Sequence, residues 1–215
     1  MSSQLLETVD ARLNPSHTAV LVIDMQNDFC AEGGYIEKVV GKDAAPCRAV
    51  VKPIMALVEK ARAAGVPVYW IKANYDPDKL PVGMLAKQRE RSTSVCCGTG
   101  SWGNELFGVA PKGGETIVEK HSYSAFVRTD LEQQLRDRGV KTLVFTGVQT
   151  NICVETSLRD AVCLGFYASL ASDCVASHTQ PLHEATVMNT RFLFGDVMTG
   201  QEIAAVWSKA KKAAA

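Results

Sequence analysis

Short apolar runs alternate with helical patterns along this chain, and that alternation is what most constrains its fold. Three helical patterns, Val50–Ala64, Asp130–Arg138 and Val154–Leu164, each end just before a glycine, which commonly closes a helix. Because strands that are apolar almost throughout are buried on both faces, the pattern predicts an α/β protein whose parallel sheet lies between two layers of helices. The predicted strands are Ala19–Ile23, Val66–Ile71, Thr116–Val118, Thr142–Phe145 and Tyr167–Leu170.

Length and composition predict one domain over residues 1–215. A chain of 215 residues buries a sizeable core, and neither internal repeats nor a low-complexity linker divides this one. The segment 73–114 has no regular pattern and contains Gly, Pro, Ser and three of the few aromatic residues. Because an irregular segment of that length in a compact domain is usually functional, we expect it to contribute to a site.

Charge and cysteine content exclude several classes of partner. The 23 basic and 23 acidic residues form no single-sign block, which argues against nucleic acid or a membrane surface as the main partner. No apolar run approaches the about 20 residues of a membrane span, and the polar segment Met1–Pro15 does not resemble a signal peptide. The seven cysteines form no C-x-x-C pair and fit reduced thiols. We expect a cytoplasmic enzyme.

Three reactive side chains, Asp24, Lys120 and Cys153, each follow a predicted strand. In open parallel sheets, functional groups collect at the carboxyl ends of the strands, so we expect these three to meet. Each residue also has a non-functional interpretation: a helix-capping aspartate, a solvated lysine and a buried cysteine. For any one of them taken alone, that interpretation is the more common. Their coincidence at one sheet edge favours a site.

The chemistry of the three groups is self-consistent. Cys153 follows a short polar loop at a predicted helix start, where the helix dipole favours the nucleophilic thiolate. Of four histidines only His121 lies at a clear strand end, so a carboxylate is the alternative base. Asp24 disfavours the thiolate and has its own pKa raised by burial, and the Lys120 cation offsets both effects. We predict Asp24 as base, Lys120 as organiser and Cys153 as nucleophile.

The loop before the predicted helix also offers donors to an oxyanion. Free backbone N–H groups at a helix opening point into the space above a nucleophile. We predict that the amides of Gln149 and Cys153 form this oxyanion hole.

Four motifs resemble those of the isochorismatase-like cysteine hydrolases, in the same order and across essentially the whole chain. They are Val22–Phe29, Gly100–Leu106, Glu119–Phe126 and Gly147–Val154. The resemblance implies a six-stranded parallel sheet of Rossmann-type topology and an Asp-Lys-Cys triad, which maps onto the three residues above. It also implies a cis peptide bond that maps to Val148–Gln149, and it agrees with the predicted oxyanion donors.

The same resemblance narrows the reaction. True isochorismatases of this superfamily lack the cysteine, which disfavours vinyl ether hydrolysis here. Nicotinamidases carry a metal-binding Asp-x-His motif, and the corresponding segment Lys72–Asp78 has no histidine. We therefore expect no metal and no cofactor. Asp76 and Asp78 remain as alternative ligands of a hard cation, but a surface turn containing proline is the favoured interpretation.

The chain resembles amidohydrolases acting on ureidoacrylate, biuret or N-carbamoylsarcosine. Three stretches look most like the ureidoacrylate branch: Gly33–Tyr35, Arg136–Val140 and Asn151–Asp160. This predicts cleavage of a C–N bond in a small ureido or carbamoyl compound through a thioester, releasing ammonia or an amine. The alternatives are a nicotinamidase-like amidase for another small amide, and a non-catalytic ligand-binding or redox protein on the same fold. By analogy with the family, we expect a homodimer or homotetramer.

Polar and aromatic residues near the motifs are the predicted pocket walls. Asn74 is the candidate to hold a urea-like group, and the Gln149 side chain stands where a small residue is common in the family. Gln180 is a weaker candidate, because its segment also fits a helix N-terminus. The predicted substrate-binding residues are Phe29, Asn74, Tyr75, Trp102, Tyr123, Phe126 and Gln149.

Overall fold

A six-stranded parallel sheet forms the centre of the computed structural model, which describes residues 5–213. The strand order is β3-β2-β1-β4-β5-β6, so the chain moves outward from β1 to β3 and then crosses back to pair β4 with the other edge of β1. This confirms the predicted fold class and Rossmann-type topology. The strands are β1 (Thr18–Ile23), β2 (Val68–Ala73), β3 (Thr116–Lys120), β4 (Thr142–Val148), β5 (Tyr167–Ala176) and β6 (Asp196–Met198).

Helices cover the two faces of the sheet and also lie along its edges. The α-helices are α1 (Val9–Arg12), α2 (Asn27–Cys30), α3 (Ala45–Ala49), α4 (Val51–Ala64), α5 (Val82–Arg91), α6 (Leu131–Asp137), α7 (Glu155–Cys163), α8 (Gln180–Asn189) and α9 (Gly200–Ala213). Short 3-10 turns span Pro15–His17 and Trp102–Asn104, and π-helical turns span Ile36–Val40, Thr150–Val154 and Thr190–Phe194.

Alternating side chains on β1 show why the sheet needs cover on both faces. Val20 and Val22 belong to one hydrophobic core, and Leu21 and Ile23 belong to the other. The first core includes residues of α4 and α9, and the second includes residues of α6 and α7. Burial of each such aliphatic side chain contributes about 1.5–3 kcal/mol, so both layers are needed.

The irregular segment 73–114 is the main correction to the sequence prediction, because it contains the ten-residue helix α5. Its larger apolar residues, Val82, Met84 and Leu85, all lie in the first turn and Lys87–Arg91 is polar, so the sequence lacks an apolar stripe that repeats over several turns as in α4. Strand β6 has only three residues, all partly exposed, and the apolar runs alone did not indicate it.

The prediction of a single domain over residues 1–215 stays a prediction, and its ends, residues 1–4 and 214–215, lie outside the described residues. Within the described part of the chain, no helix has both the length and the apolar character needed to cross a membrane.

Gly147 lies where the end of β4 meets β1, and this contact yields a test of the fold. Its φ is 106°, and a Cβ atom there would lie 2.0 Å from the Ile23 carbonyl oxygen. We expect Gly147→Ala to lower the free energy of unfolding by more than about 3 kcal/mol, because it both strains the backbone and displaces β1.

Gly65→Ala is the matched control for this substitution. Gly65 also has a positive φ, of 74°, but a Cβ atom there would meet open space. This variant keeps the backbone strain without the clash and should lose about 1 kcal/mol. Urea denaturation followed by circular dichroism measures both variants, and equal losses would contradict the close approach at Gly147.

Candidate active site

The carboxyl ends of three strands bring the predicted triad together. Asp24 directly follows β1, Lys120 is the last residue of β3, and Cys153 follows β4. Asp24 has a left-handed backbone with φ 53°, which turns the chain away from the strand direction, and its amide donates to the Ile71 carbonyl at 2.9 Å. The three residues therefore lie at the edge where the strand order reverses around β1 and β4.

Asp24 and Lys120 form a fully buried ion pair. Lys120 Nζ lies 2.9 Å from Asp24 Oδ2, and the two side chains are 0% and 1% exposed. The ammonium group also donates to the Ser122 carbonyl at 2.9 Å and to the Tyr75 hydroxyl at 3.1 Å. Because each of its hydrogen bonds is to a fixed group, the cation has one orientation beside the carboxylate.

Tyr75 connects this ion pair to the cysteine. Its hydroxyl lies 3.4 Å from Cys153 Sγ as well as 3.1 Å from Lys120 Nζ, and the ring is buried. The sequence prediction placed Tyr75 among the pocket walls only. Its contact with the thiol depends on how the segment after β2 folds, and no pattern in the sequence indicated it.

Burial dominates the protonation of the site. It raises the pKa of Cys153 to about 12, with the Asp24 charge adding to the rise and Lys120 and Tyr75 opposing it. Burial likewise raises the pKa of Asp24, and the Lys120 charge only partly offsets that rise. At Lys120 burial lowers the pKa, but the charges of Asp24 and Cys153 outweigh it and the net pKa is raised.

These shifts correct the expectation that a helix N-terminus favours the Cys153 thiolate. Cys153 lies in the π-helical turn Thr150–Val154, one turn before α7, and it is 4% exposed. Loss of hydration outweighs the helix dipole there. In the resting site Cys153 is therefore a neutral thiol beside an ion pair.

The loop before Cys153 has the backbone that the resemblance implied. The Val148–Gln149 peptide bond is cis, as predicted. The Gln149 carbonyl accepts from the amides of Ile152 at 3.0 Å and Val154 at 3.3 Å, which closes the turn around Cys153. The role of the Gln149 and Cys153 amides as oxyanion donors stays a prediction.

The Gln149 side chain is fixed beside the site. Its Oε1 accepts from the His178 amide at 2.9 Å, and its Nε2 lies 3.3 Å from Cys47 Sγ. The residue is 3% exposed and lines the cavity described next. A large amide side chain at this position narrows the space above the thiol.

A cavity of about 230 Å³ opens above Cys153. Four predicted wall residues line it: Phe29, Tyr75, Tyr123 and Gln149. Several further lining residues were not foreseen from the sequence. They are Tyr35, Ile36, Val40, Leu80, Met84, Lys87, Gln88, Arg91, Cys96, Asn151, Ile152, His178 and Leu182.

Most of these additional residues come from segments with no strong sequence pattern. Lys87, Gln88 and Arg91 belong to α5, where the i,i+4 spacing of Lys87 and Arg91 places them on one helix face. That spacing was visible in the sequence, but it had no meaning until the helix was known.

Asn74 is a correction to the predicted binding residues. Its side chain points away from the cavity, and Nδ2 donates to Thr99 Oγ1 at 2.9 Å and to Glu119 Oε1 at 3.1 Å. Its Oδ1 accepts from the Asp76 amide at 3.1 Å. With these hydrogen bonds made, Asn74 holds the loop after β2 rather than facing the cavity.

Trp102, Phe126 and Gln180 also lie outside the cavity lining. Trp102 is 50% exposed in the turn Trp102–Asn104. Phe126 stacks on Phe166, with ring centroids 6.1 Å apart, and packs against the core that includes residues of α6 and α7. Gln180 begins α8 and donates to Glu184 Oε1 at 3.0 Å, in agreement with the alternative interpretation as a helix N-terminus.

The two alternative metal ligands, Asp76 and Asp78, do not form a cluster. The Asp76 carboxylate accepts from the Thr99 amide at 3.1 Å and from Thr99 Oγ1 at 2.5 Å, and it lies 3.3 Å from Lys79 Nζ. These hydrogen bonds stabilise a turn, in agreement with the interpretation of this segment as a surface turn containing proline.

Among the described residues, one group of three potential metal ligands (His, Cys, Asp or Glu) has its ligand atoms within 4.8 Å of one another. It consists of Asp28, Cys96 and Cys97. Asp28 Oδ2 accepts from the Cys97 amide at 2.6 Å, and Oδ1 accepts from the Tyr35 amide at 3.1 Å. Its carboxylate therefore braces the backbone of two segments of the cavity wall.

The fold and the buried residues define a class: a Rossmann-type α/β protein with a cysteine, a carboxylate and a lysine at the switch point of the sheet. The family model described as the isochorismatase domain matches residues 18–202, and the chain belongs to this family.

Similar proteins support the assignment. One is the ureidoacrylate amidohydrolase RutB of Rhizobium rhizogenes, 35% identical over 92% of this chain and 86% of the relative. A cysteine hydrolase from Pseudomonas syringae is similar in structure, with a TM-score of 0.84 and 28% identity over 98% of this chain and all of the other. An N-carbamoylsarcosine amidase from Thermoplasma acidophilum has a TM-score of 0.70 and 26% identity, over 86% and 96% of the two chains.

The charge balance at Cys153 can be tested directly. Because the Asp24 charge raises the pKa of Cys153 and Lys120 lowers it, Asp24→Asn should lower that pKa, and Lys120→Met should not. We expect iodoacetamide to alkylate Cys153 faster at neutral pH in Asp24→Asn than in the wild type. Peptide mass spectrometry separates Cys153 from the other cysteines, and circular dichroism confirms folding. Equal rates in all three proteins would refute the charge coupling.

Proposed function

We propose that this protein is a cysteine-dependent amidohydrolase that cleaves a C–N bond of a small ureido or carbamoyl compound through a thioester intermediate. The observation that carries the proposal is that Cys153 and Asp24 line a small cavity, with Lys120 buried behind them and 2.9 Å from Asp24. A thiol and a base that face the cavity, with a cation paired to the base, provide the groups that acyl transfer requires.

In the first step the Cys153 sulfur attacks the substrate carbonyl carbon while Asp24 takes the thiol proton. Because the pKa of the thiol is about 12, proton transfer ahead of attack is unfavourable, and the two events are coupled. Negative charge passes to the carbonyl oxygen, where the Gln149 and Cys153 amides donate to it. Asp24 then gives the proton to the departing nitrogen as the C–N bond breaks, leaving a thioester.

In the second step a water molecule replaces the departed ammonia or amine. Asp24 takes a proton from that water, the hydroxyl adds to the thioester carbonyl, and the C–S bond breaks. The proton returns to sulfur, which restores the thiol and leaves Asp24 ionised. Lys120 keeps its proton throughout, since its net pKa is raised, and its charge stabilises each ionised form of Asp24 and Cys153.

Tyr75 contributes a hydrogen bond to the sulfur in this scheme. Burial holds the pKa of its hydroxyl well above the ordinary value, so it remains a neutral donor. A donor 3.4 Å from Sγ stabilises the thiolate more than the thiol, and it therefore favours the attacking species.

The substrate class rests on the similar proteins and on the site together. The named relatives act on ureidoacrylate and N-carbamoylsarcosine, which share a carbonyl carbon between two nitrogens. A cavity of about 230 Å³ suits a compound of that size. A metal-assisted nicotinamidase-like amidase and a non-catalytic redox protein are the alternatives that the same assay separates.

A substrate screen with a nucleophile variant tests the proposal. We expect the wild type to release ammonia from at least one of ureidoacrylate, biuret, an N-carbamoyl amino acid or nicotinamide. Cys153→Ala should lose about 10³-fold or more of this activity, since the covalent route is removed. Cys163→Ala is the matched control, because Cys163 is an exposed cysteine at the end of α7.

Three outcomes would overturn the proposal. Full activity in Cys153→Ala would show that Cys153 is not the nucleophile. Ligand binding or thiol oxidation without turnover would favour the non-catalytic alternative, and loss of activity on addition of a chelator would favour the metal-assisted amidase.

The pH profile gives a further test. Asp24 must be ionised to accept the thiol proton, and burial raises its pKa above 3.8. We therefore expect kcat/KM to fall as the pH decreases, with an apparent pKa above 3.8 for this acid limb. Lys120→Met removes the charge that lowers the Asp24 pKa. The acid limb of the variant's residual activity should therefore shift to higher pH. A limb at or below 3.8 would argue against Asp24 as the base.

The cytoplasmic location and the homodimer or homotetramer stay predictions. Size-exclusion chromatography with light scattering measures the oligomeric state directly.

A further inference from the structure

Charge is distributed unevenly along the cavity. At its floor, the Asp24 and Lys120 charges cancel and Cys153 is a neutral thiol. At its mouth, α5 contributes Lys87 and Arg91, and Asp24 is the one carboxylate among the lining residues. The cavity therefore combines a neutral reacting end with an outer end that carries excess positive charge.

Of the two cations that α5 contributes to the mouth, Arg91 is the one whose charge is not compensated by a nearby carboxylate. Lys87 Nζ is 2.5 Å from Glu90 Oε2, so its charge is largely compensated. Among the described residues, no carboxylate lies within ion-pair distance of Arg91. The carbonyl end of α5 carries a partial charge of about −0.5 at most, which is smaller than the full charge of the guanidinium.

The charge of Arg91 reaches several walls of the cavity. Burial is the largest influence on the pKa values of Tyr35, Tyr123 and His178, but Arg91 lowers each of them. These three residues come from different segments of the chain and line the same cavity as Arg91, so its charge acts on several sides of that cavity. Lys42 adds a second positive charge near His178, and the lowered pKa keeps His178 itself neutral at pH 7.

We propose that the mouth of the cavity binds a carboxylate of the substrate and that Arg91 is the residue that selects for it. The substrate class is then a small ureido or carbamoyl acid, with its carbonyl at Cys153 and its anionic group toward α5. This inference rests on the proposed function and makes it more specific, because biuret and nicotinamide carry no such group.

Physical chemistry favours this orientation over the reverse. The floor offers an anion no net positive charge, because Asp24 neutralises Lys120, whereas a guanidinium presents two parallel N–H donors that match a carboxylate. Tyr35, Tyr123 and Gln88 surround the same opening with further polar atoms. The apolar side chains between the two ends, among them Phe29, Leu80 and Met84, suit a short hydrocarbon spacer.

A pair of substrates that differ only in charge tests the inference. The pair is N-carbamoyl-β-alanine and its methyl ester, each assayed by ammonia release from the ureido group. For the wild type, kcat/KM should favour the acid. Arg91→Gln should lower the acid-to-ester ratio of kcat/KM by about 10- to 100-fold, which is the range for a hydrogen-bonded charge pair. Arg91→Lys should restore part of the ratio.

Arg89→Gln is the matched control, because Arg89 is an exposed cation on the same helix that does not line the cavity. It should leave the ratio within about twofold of the wild type. An Arg91→Gln variant that loses activity on acid and ester equally would overturn the inference while leaving the amidohydrolase proposal intact.

Binding without turnover separates the two proposals. Calorimetry measures N-carbamoyl-β-alanine binding to Cys153→Ala and to Cys153→Ala/Arg91→Gln. If the wild type releases no ammonia from these two compounds or from any substrate of the screen above, the proposed function fails, and weaker binding in the double variant alone still supports the anion site. The anion site would be contradicted if both variants bound N-carbamoyl-β-alanine equally, or if Cys153→Ala bound the acid and its methyl ester with equal affinity.

Discussion

Lys120 and Asp24 hold two opposite charges 2.9 Å apart where neither side chain reaches solvent. Such a pair gains little net stability from its attraction, but removal of either partner costs about 3–5 kcal/mol because a lone charge is left buried. Lys120 ends β3 and Asp24 directly follows β1; these strands are not neighbours in the sheet, so the pair spans the end of β2. Tyr75, in the segment after β2, contacts both Lys120 and the Cys153 thiol. The positions of Asp24, Lys120 and Cys153 thus depend on one another.

Burial of Cys153 beside this pair sets the resting state of the cysteine. A dipole at a helix start is weaker than the loss of hydration at Cys153, so the resting thiol keeps its proton. The opposite charges of Asp24 and Lys120 balance, so the three groups carry no net charge at rest. In the proposed mechanism, new negative charge develops only during attack, and the carbonyl oxygen takes it up.

The sequence predicted the part of the site that topology alone determines. Strand ends meet at one edge of a parallel sheet, so Asp24, Lys120 and Cys153 were predictable from their places after apolar runs. The walls were less predictable, because side-chain direction in a loop depends on tertiary hydrogen bonds. Asn74 turns to Thr99 and Glu119, whereas Tyr75, one residue later, turns inward. Helix α5 was missed for another reason: its larger apolar residues are confined to the first turn, so no apolar stripe repeats along it.

The exposure of α5 has a consequence for its stability as a separate unit. A ten-residue helix is marginal by itself in water, and α5 packs on the core only through partly buried side chains such as Met84 and Leu85, so its local unfolding requires less free energy than that of the sheet. Yet α5 supplies one wall of the cavity. Any ligand that contacts this wall binds only its folded form, and part of the intrinsic binding energy is spent on ordering the helix. Ligand affinity and the hydrogen-exchange protection of α5 are consequently linked quantities.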